Sequence, residues 1–419
     1  MQSRNLVQAE LLISHHRYKD AEEIIRLEIG QNMENATAFS MLALVLALQE
    51  RAQEGLPAVQ RAISLEPENE YHFYIHSLVL EHLKRYEQAI QEIQKAIRLD
   101  PLDAHYYGQL SNLHIHLKDW QDALDEANKG LELDPQSTIC SNLRAVALTQ
   151  MGRRTEATQT IDGLLKRDPE NAVSHANQGW TYLHKGDPKQ ASVHFREALR
   201  LQPGQPWARQ GMLEALKARN ILYRGILAYY LWISRFKSNA QWGLILGAYF
   251  GYQLVRTIAA ASPALAPWLS PFLTAYIVFA FSTWIASPLF NLFLRLDPFG
   301  RMILNEREKK IANLVGLTIL IAILLGLASV IFGASLFGVA ALGAFLMILP
   351  VSGLAHMRTK KTQTGFGLYV LGLALSGVIF LGAVMLGLNN VADTFSIIFL
   401  FGWIASSWIV NYLISSGRA

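Results

Sequence analysis

The tripeptide Leu65-Glu66-Pro67 returns in related form every 34 residues through the first half of the chain. Proline disfavours helix at the residue before it and lacks an amide donor, so each copy ends one helix and precedes the next. A fixed period of this length predicts a stack of helix pairs that bury their apolar faces against one another. The later copies are Leu99-Asp100-Pro101, Leu133-Asp134-Pro135, Arg167-Asp168-Pro169 and Leu201-Gln202-Pro203.

Small residues recur at two further places of the repeating unit. With the proline numbered 32, position 20 is alanine or glycine in every unit, and position 27 departs only at Leu164. Small side chains at fixed places allow two antiparallel helices to pack closely. Position 20 holds Gly55, Ala89, Ala123, Ala157 and Ala191, and position 27 otherwise holds Ala62, Ala96, Gly130 and Ala198.

This pattern resembles the tetratricopeptide repeat family, which has small residues at positions 8, 20 and 27 and proline at 32. The resemblance covers about residues 36–203, and residues 17–22 fit an earlier unit that lacks the proline. It implies an all-α fold in residues 1–219: a solenoid of about six helix pairs, with residues 207–219 as a capping helix. It also implies a concave groove that binds an extended or helical segment of a partner protein.

The register of the resemblance implies which side chains line this groove. The basic residues of the family's carboxylate-clamp subtype are absent, so the expected ligand is a less charged peptide and not a chaperone's acidic tail. Glu81, Val146 and Gln150 also fall on inward positions. The residues expected to bind the partner are Tyr71, Tyr74, Leu78, His82, His105, Gln109, Asn112, His116, Asn142, Asn177, Trp180 and His184.

Histidine and cysteine give little support for a metal site. His82, His116 and His184 share position 13, but Gln150 interrupts the row and no carboxylate cluster completes a shell, whereas zinc takes three or four converging ligands. Cys140 is the only cysteine, which excludes an internal disulfide and a cysteine-based zinc site. We expect a buried thiol in a reducing compartment, no metal and no cofactor.

The excess of positive over negative charge is confined to the second half of the chain. From residue 240 onward ten Lys or Arg face four acidic residues, so the whole-chain charge of +4 leaves the first half at −2. The pI near 9.0 therefore does not indicate nucleic-acid binding. Basic residues restricted to connectors between apolar runs are typical of membrane proteins.

Six apolar segments follow, each as long as a bilayer-spanning helix. Basic residues cluster in connectors 295–310 and 357–361, while the alternate connectors carry none, which predicts six spans with both termini and the repeats in the cytoplasm. No apolar signal segment follows Met1. Resemblance to bacterial proteins that join repeats to membrane helices implies the bacterial inner membrane. The spans are predicted at about 240–261, 268–294, 311–332, 335–355, 366–388 and 393–414, within a domain of residues 239–419.

Two further features concern packing near the membrane. Residues 220–238 are rich in aromatics and too short to span, so they predict a helix in the membrane plane, or one docked between the two domains. Gly243, Gly247 and Gly251 share one face of the first span, which favours close helix packing. Homo-oligomerisation through such a face is left open.

No enzyme motif is present in the sequence. Ser352 and His356 lie close together in sequence, but His356 is the only histidine after His194, so no histidine from another span can pair with the serine. Acyl-transfer chemistry is therefore not expected. Arg256 is the one charged residue within the first span, and it lies a turn or two from the end of that span, where its side chain can reach the interface. We therefore expect a membrane-anchored scaffold without catalytic activity. The alternative is a transporter, channel or lipid-handling protein whose repeats dock a regulator.

Overall fold

The computed structural model describes residues 3–295, 298–357 and 359–415, and helices are the regular secondary structure found there. They form two compact units: Met1–Ala208 with Trp232–Ser238, and Arg209–Leu231 with Asn239–Ala419. The predicted domain limits at residues 219 and 238 stay predictions. Asp297, Arg358 and Arg418, which contributed to the charge and topology arguments, lie outside the described residues.

The described residues of the first unit form six helix pairs, which confirms the predicted all-α solenoid. In each pair the first helix packs on the second, and the second packs on the first helix of the following pair. The pairs are α1 (Arg4–Ser14) with α2 (Tyr18–Gln31), α3 (Ala36–Leu48) with α4 (Ala52–Leu65), α5 (Glu70–His82) with α6 (Tyr86–Leu99), α7 (Ala104–Leu117) with α8 (Trp120–Leu133), α9 (Thr138–Gln150) with α10 (Arg154–Arg167), and α11 (Ala172–Lys185) with α12 (Pro188–Leu201).

Helix boundaries follow the proline period. Each repeating proline lies two residues beyond the end of a second helix, and a new helix begins three residues after it. Before α3, α5, α7, α9 and α11 stands a residue whose side-chain oxygen accepts a hydrogen bond from an amide of the first turn. Such N-caps stabilise a helix by about 1 kcal/mol each. The caps are Asn35, Asn69, Asp103, Ser137 and Asn171, again 34 residues apart.

A left-handed backbone residue occupies the turn inside every helix pair. The φ angles of these six residues lie between 59 and 84°, and the residues are themselves 34 apart. A non-glycine side chain disfavours this conformation, so each turn without glycine carries a local cost. Only two of the six are glycines, which is why the period is not evident from composition. The residues are His16, Glu50, Lys84, Lys118, Gly152 and Gly186.

The small residues of the repeat allow the helices to approach as predicted. A Cβ placed on Gly55 would lie 2.9 Å from the Ala43 carbonyl oxygen. One placed on Gly130 would lie 2.5 Å from the Cys140 sulfur, which fills the space beside this glycine. Cys140 is fully buried. Close backbone contact thus depends on side-chain size at these positions.

The second unit holds most of α13 (Pro206–Lys217) and α14 (Ile221–Ile233), and then the apolar helices. Among the described residues, six helices are long and apolar enough to cross a membrane, in agreement with the six predicted segments. A short α17 (Pro298–Ile303) precedes the third of them. The six are α15 (Ser238–Ala261), α16 (Ala266–Leu294), α18 (Glu306–Phe332), α19 (Ser335–Gly353), α20 (Lys360–Met385) and α21 (Asn389–Ser415).

The core of the second unit lies among α18 to α21. Val315, Met347, Phe366 and Val410 belong to one buried apolar cluster there. α15 contributes no buried residue, and a Cβ on any of its three predicted packing glycines meets no described atom within 4 Å. A packing role for Gly243, Gly247 and Gly251 therefore stays a prediction.

Within the same unit, α14 packs one face on α16. Tyr223 is buried against Phe290 with ring centroids 4.8 Å apart, and the Tyr230 hydroxyl donates to the Thr283 carbonyl. Ile221, at the start of α14, is 77% exposed. The helix is thus apolar on an exposed side as well as on its packed side, and its place in the membrane plane stays a prediction.

Candidate protein-interaction surface

A carboxylate fixed by three neighbours lies at the centre of the predicted groove. Glu81, near the end of α5, accepts hydrogen bonds from Gln109 Nε2 (2.7 Å) and Asn112 Nδ2 (2.8 Å) of α7. His116 Nε2 lies 3.2 Å from the same carboxylate. Burial raises the pKa of the Glu81 carboxyl, but these three partners outweigh burial and hold it below its usual value. Glu81 is therefore ionised at neutral pH.

A second polar connection joins the later repeats. Asn177 Nδ2 donates to Asn142 Oδ1 (3.0 Å), and Asn142 Nδ2 donates to Ser174 Oγ (3.1 Å), so α9 and α11 are tied through their groove-facing positions. Asn142 and Asn177 are 6% and 8% exposed, and Gln109 of the first cluster is 8% exposed. Because their polar atoms already have partners, these amides leave little surface for a ligand.

Trp180 lies in an aromatic stack at the end of the array. Its ring stacks on Trp207 with centroids 4.5 Å apart and meets Phe195 edge-on at 5.7 Å. The Trp180 indole nitrogen donates to the Trp207 carbonyl (3.3 Å), while the Trp207 indole nitrogen donates to Asn177 Oδ1 (3.3 Å). Trp207 acts as a capping residue for the last repeat, because it shields Trp180 from solvent at the end of the array.

The remaining predicted residues keep some exposed surface. His82, His105 and His116 are exposed, and Tyr71, Tyr74, Leu78 and Asn112 are half-buried. Burial raises the pKa of Tyr71 to about 12 and raises that of Tyr74 as well, so both phenols remain protonated donors. These side chains lie on α5 and α7, around the fixed Glu81 carboxylate. The accessible part of the predicted groove is therefore aromatic, imidazole-rich and weakly acidic.

The chain's own residues 232–238, here called the strap, cover another part of the first unit. Trp120 Nε1 donates to the Arg235 carbonyl (2.6 Å), and Lys118 Nζ donates to the Phe236 carbonyl (2.8 Å). The Lys237 ammonium pairs with the Asp119 carboxylate. Three consecutive residues, two in the turn after α7 and one at the start of α8, thus hold a segment more than 110 residues away in sequence.

The strap also reaches His184, one of the predicted groove residues. Arg235 Nη2 lies 3.5 Å from His184 Nδ1, and a Cβ on Gly152 would lie 3.5 Å from Arg235 Nη1. Burial, followed by the charges of Arg235 and Arg154, lowers the pKa of His184 to about 3. His184 is 8% exposed, so it is a neutral contact of the strap and offers little surface to a partner.

Three side chains near the junction of α7 and α8 have the chemistry of metal ligands. One atom from each of His114, Asp119 and Asp122 lies within 4.8 Å of the others. Asp119 already pairs with Lys237, whose positive charge competes with a cation for the same carboxylate. His114 and Asp122 alone supply two ligands, whereas zinc in proteins takes three or four.

The strap is the part of this surface that sequence reasoning missed. Ser234, Arg235 and Phe236 fall in residues 220–238, which the sequence predicts as a helix in the membrane plane or one docked between the two domains, with no specific contact to the repeats named. The charges of Arg235 and Lys237 were consistent with lipid headgroups as much as with the repeats. No local pattern connects them with Trp120.

Comparison with known proteins identifies the repeats. The tetratricopeptide repeat model matches residues 76–138 and 142–206. None of the curated proteins matches the chain. The solved structures that are similar to it include YrrB, described as a TPR protein with an unusual peptide-binding site (22% identity, 44% of this chain and 96% of that one, TM-score 0.34). Another is pilF of Pseudomonas aeruginosa (19% identity, 49% of this chain and 94% of that one, TM-score 0.40). A third is a tetratricopeptide repeat protein of Parabacteroides merdae (15% identity, 57% of this chain and 95% of that one, TM-score 0.44).

The family match falls on helices α5 to α12. It spans the Glu81 cluster, the Asn142–Asn177 connection and Trp180. Repeats of this family generally bind protein or peptide partners. The chain therefore carries an array of tetratricopeptide repeats, followed by six helices that are long and apolar enough to span a membrane.

Proposed function

We propose that the chain is a membrane-anchored scaffold whose repeat array binds an extended segment of a partner protein and holds it at a membrane. The observation that carries the proposal is the face of α5 and α7, where a fixed carboxylate stands among accessible aromatic and imidazole groups. A pre-organised surface binds with less loss of conformational entropy than a mobile one. The groups concerned are Glu81, Tyr71, Tyr74, His82, His105 and His116.

Proximity labelling with the full-length protein in cells tests the groove. A variant with His82→Ala and His105→Ala alters two exposed side chains whose hydrogen bonds are local. Gln88→Ala, at an exposed position of α6, serves as the matched control. We expect the groove variant to lose labelled partners that the control retains. Equal labelling by both variants refutes a groove on α5 and α7.

Membrane anchoring is supported by the surface of the second unit. Large apolar side chains stand exposed along its helices, among them Phe250 (65%), Val330 (82%) and Trp408 (75%). Continuous apolar surface of this kind is unfavourable in water and favourable in lipid. Basic residues in alternate connectors support the proposed orientation, with the repeats and both termini in the cytoplasm of a bacterial cell.

Labelling of introduced cysteines tests this orientation. The native Cys140 is fully buried, so a membrane-impermeant maleimide should report on added thiols. We expect Ala264→Cys to react in intact spheroplasts and Glu306→Cys to react only after permeabilisation. Both positions are exposed, which makes them a matched pair. Reaction of both, or of neither, in intact cells contradicts six spans with cytoplasmic repeats.

The proposal treats the chain as non-catalytic. Its support is the lack of a recognised catalytic motif in the sequence and the state of Ser352, which is fully buried. The Ser352 hydroxyl has no hydrogen-bond partner among the described residues, and therefore no bond to His356 that would activate it. Incubation of purified protein with ester and peptide substrates is expected to give no turnover above that of Ser352→Ala.

A second candidate, a lipid-handling protein, is favoured by one cavity of the second unit. The cavity holds about 680 Å³ among α18 to α21, within the size range of small-molecule sites. Among the described residues its walls are apolar apart from the hydroxyls of Thr318 and Ser396, and none of them is a carboxylate. Such walls favour the acyl chain of a lipid over an ion or a polar solute.

Native mass spectrometry tests this candidate. Ala344→Phe places a ring in the cavity wall, whereas Leu320→Phe adds a similar change at a position that is 51% exposed and does not line it. If the cavity holds a lipid, detergent-purified protein and the Leu320 variant retain it and the Ala344 variant loses it. Equal retention by both variants contradicts a lipid in this cavity.

A further inference from the structure

Two arginines of the first unit are brought together where the strap meets the repeats. Arg235 of the strap lies beside His184, and Arg154 is the first residue of α10. Arg235 Nη1 lies 3.5 Å from the place that a Cβ on Gly152 would occupy, and Gly152 is two residues before Arg154, so the strap brings Arg235 to the start of α10. The arrangement therefore sets two positive charges around one buried imidazole.

Both guanidinium groups are incompletely satisfied. The Nε atoms of Arg154 and Arg235 are buried and have no hydrogen-bond partner among the described residues. A buried donor without an acceptor costs about 1–3 kcal/mol, and more when it belongs to a charged group. The repulsion between the two cations adds to this cost. A group that accepts from both arginines would remove both penalties.

Neighbouring charged groups are already engaged. Asp119 pairs with Lys237, and Glu156 accepts from Arg153 at 2.7 Å. Lys118 donates to the strap carbonyl of Phe236. Asp119 and Glu156 thus have their own cations, so neither supplies the acceptor that the two arginines lack.

We propose that Arg154, Arg235 and His184 form a binding site for an oxyanion, a carboxylate or phosphate group that bridges the two guanidinium groups. Guanidinium presents a planar fork of donors that matches the oxygens of either group. The free amides at the start of α10 add a favourable partial charge. His184 stays neutral, and its Nδ1 accepts from Arg235 and so helps to orient that guanidinium.

This site differs from the basic clamp that the groove register excluded, because one of its arginines comes from outside the repeats. Arg235 is 81 residues from Arg154 in sequence and reaches it only when the strap is docked. Binding of the anion and docking of the strap are therefore coupled. Use of the site by a partner protein rests on the function proposed above, whereas binding of the anion does not.

Hydrogen exchange at the strap amides tests the proposal in the full-length protein in detergent. Sodium phosphate and sodium acetate are added in separate titrations against sodium chloride at equal ionic strength. Because the anion ties the strap to α10, exchange of residues 235–238 should slow by a factor of 1 + [L]/Kd, about elevenfold at ten times Kd. A response to phosphate alone assigns a phosphate site, and a response to both assigns carboxylate as well. No response to either anion overturns the proposal.

Matched variants separate this role from a structural one. Arg154→Gln should abolish the response, while Lys166→Gln, at an exposed residue near the other end of α10, should keep it. Without anion, Arg154→Gln should exchange more slowly than the parent because a repulsion is lost, whereas a structural Arg154 predicts faster exchange. Arg235→Gln is a second variant for the same test, should Arg154→Gln fail to fold. An unchanged response in both Arg154→Gln and Arg235→Gln overturns the site.

The two proposals fail separately. If phosphate or acetate slows exchange but proximity labelling finds no groove-dependent partner, the anion site stands and the scaffold function is wrong. If partners are labelled but neither anion acts, the scaffold stands and the anion site is wrong.

Discussion

His184 should make the stability of the repeat array depend on pH in a specific range. Its folded pKa is about 3 and its ordinary value is 6.5, because burial and then Arg235 and Arg154 disfavour the charged form. Below pH 6.5 the unfolded chain binds a proton that the folded chain does not, so the free energy of unfolding falls as the pH falls. The stabilising contribution is fully present above pH 6.5.

The magnitude follows from the size of the shift. Each pH unit below 6.5 should cost about 1.4 kcal/mol until the pH approaches the folded pKa, which gives about 2 kcal/mol between pH 6.5 and 5. Lowered carboxyl pKa values, such as that of Glu81, act only below their ordinary value of 4.5. Burial and then the charge of His175 also lower the pKa of His194, so His194 likewise reduces stability as the pH falls. This contribution is the same in the parent and in the His184 variant described below.

Urea unfolding of the full-length protein in detergent measures the effect, with hydrogen exchange of α11 as the signal at pH 7 and pH 5. His184→Gln should lose about 2 kcal/mol less than the parent between these two conditions, because glutamine does not titrate. His105→Gln, at an exposed position, is the control and should behave as the parent does. The reasoning is refuted if the parent and His184→Gln lose equal free energy on acidification.

Three substitutions test the packing of the repeats by urea unfolding. Gly179→Ala should destabilise the array, because the new Cβ would lie 2.7 Å from the buried Phe195 ring. Overpacking costs about 1–3 kcal/mol, which exceeds the roughly 1 kcal/mol that alanine gains in helix propensity. A stabilised variant would contradict this close contact. Lys84→Gly should stabilise by up to about 1 kcal/mol, since Lys84 has φ of 59°, and Lys84→Ala should not; equal effects would exclude backbone strain. Asn142→Leu should cost about 1–3 kcal/mol by leaving the Asn177 amide without its acceptor, and an unchanged midpoint would show that the connection contributes nothing.

Local sequence determined most of the fold. The proline period predicted where second helices end, because the backbone restriction at Pro67 and its counterparts acts within one or two residues. The small residues predicted close helix packing. How closely the neighbouring helix can approach Gly55 or Gly130 depends on side-chain size at these fixed positions of the repeat. The apolar segments predicted the six long helices, because length and composition alone decide whether a helix can span a bilayer.

Tertiary structure decided how the candidate surface is used. Register alone placed Asn142, Asn177 and Gln109 on the groove side, but only packing between successive helices shows that their amides are buried and satisfied. Burial depends on neighbours about 34 residues away, and a single repeat does not contain that information. The accessible groups are accordingly fewer than the register implied.

The strap is the clearest case of a feature that sequence could not determine. Its contacts join Arg235 to Trp120 and His184, residues that lie 115 and 51 positions away. Two of its hydrogen bonds use backbone carbonyls, which every residue has and no pattern marks. The sequence therefore determined the repeat array and the apolar helices, whereas only the folded chain brought Arg235 to Arg154 and turned a linker into part of a charged surface.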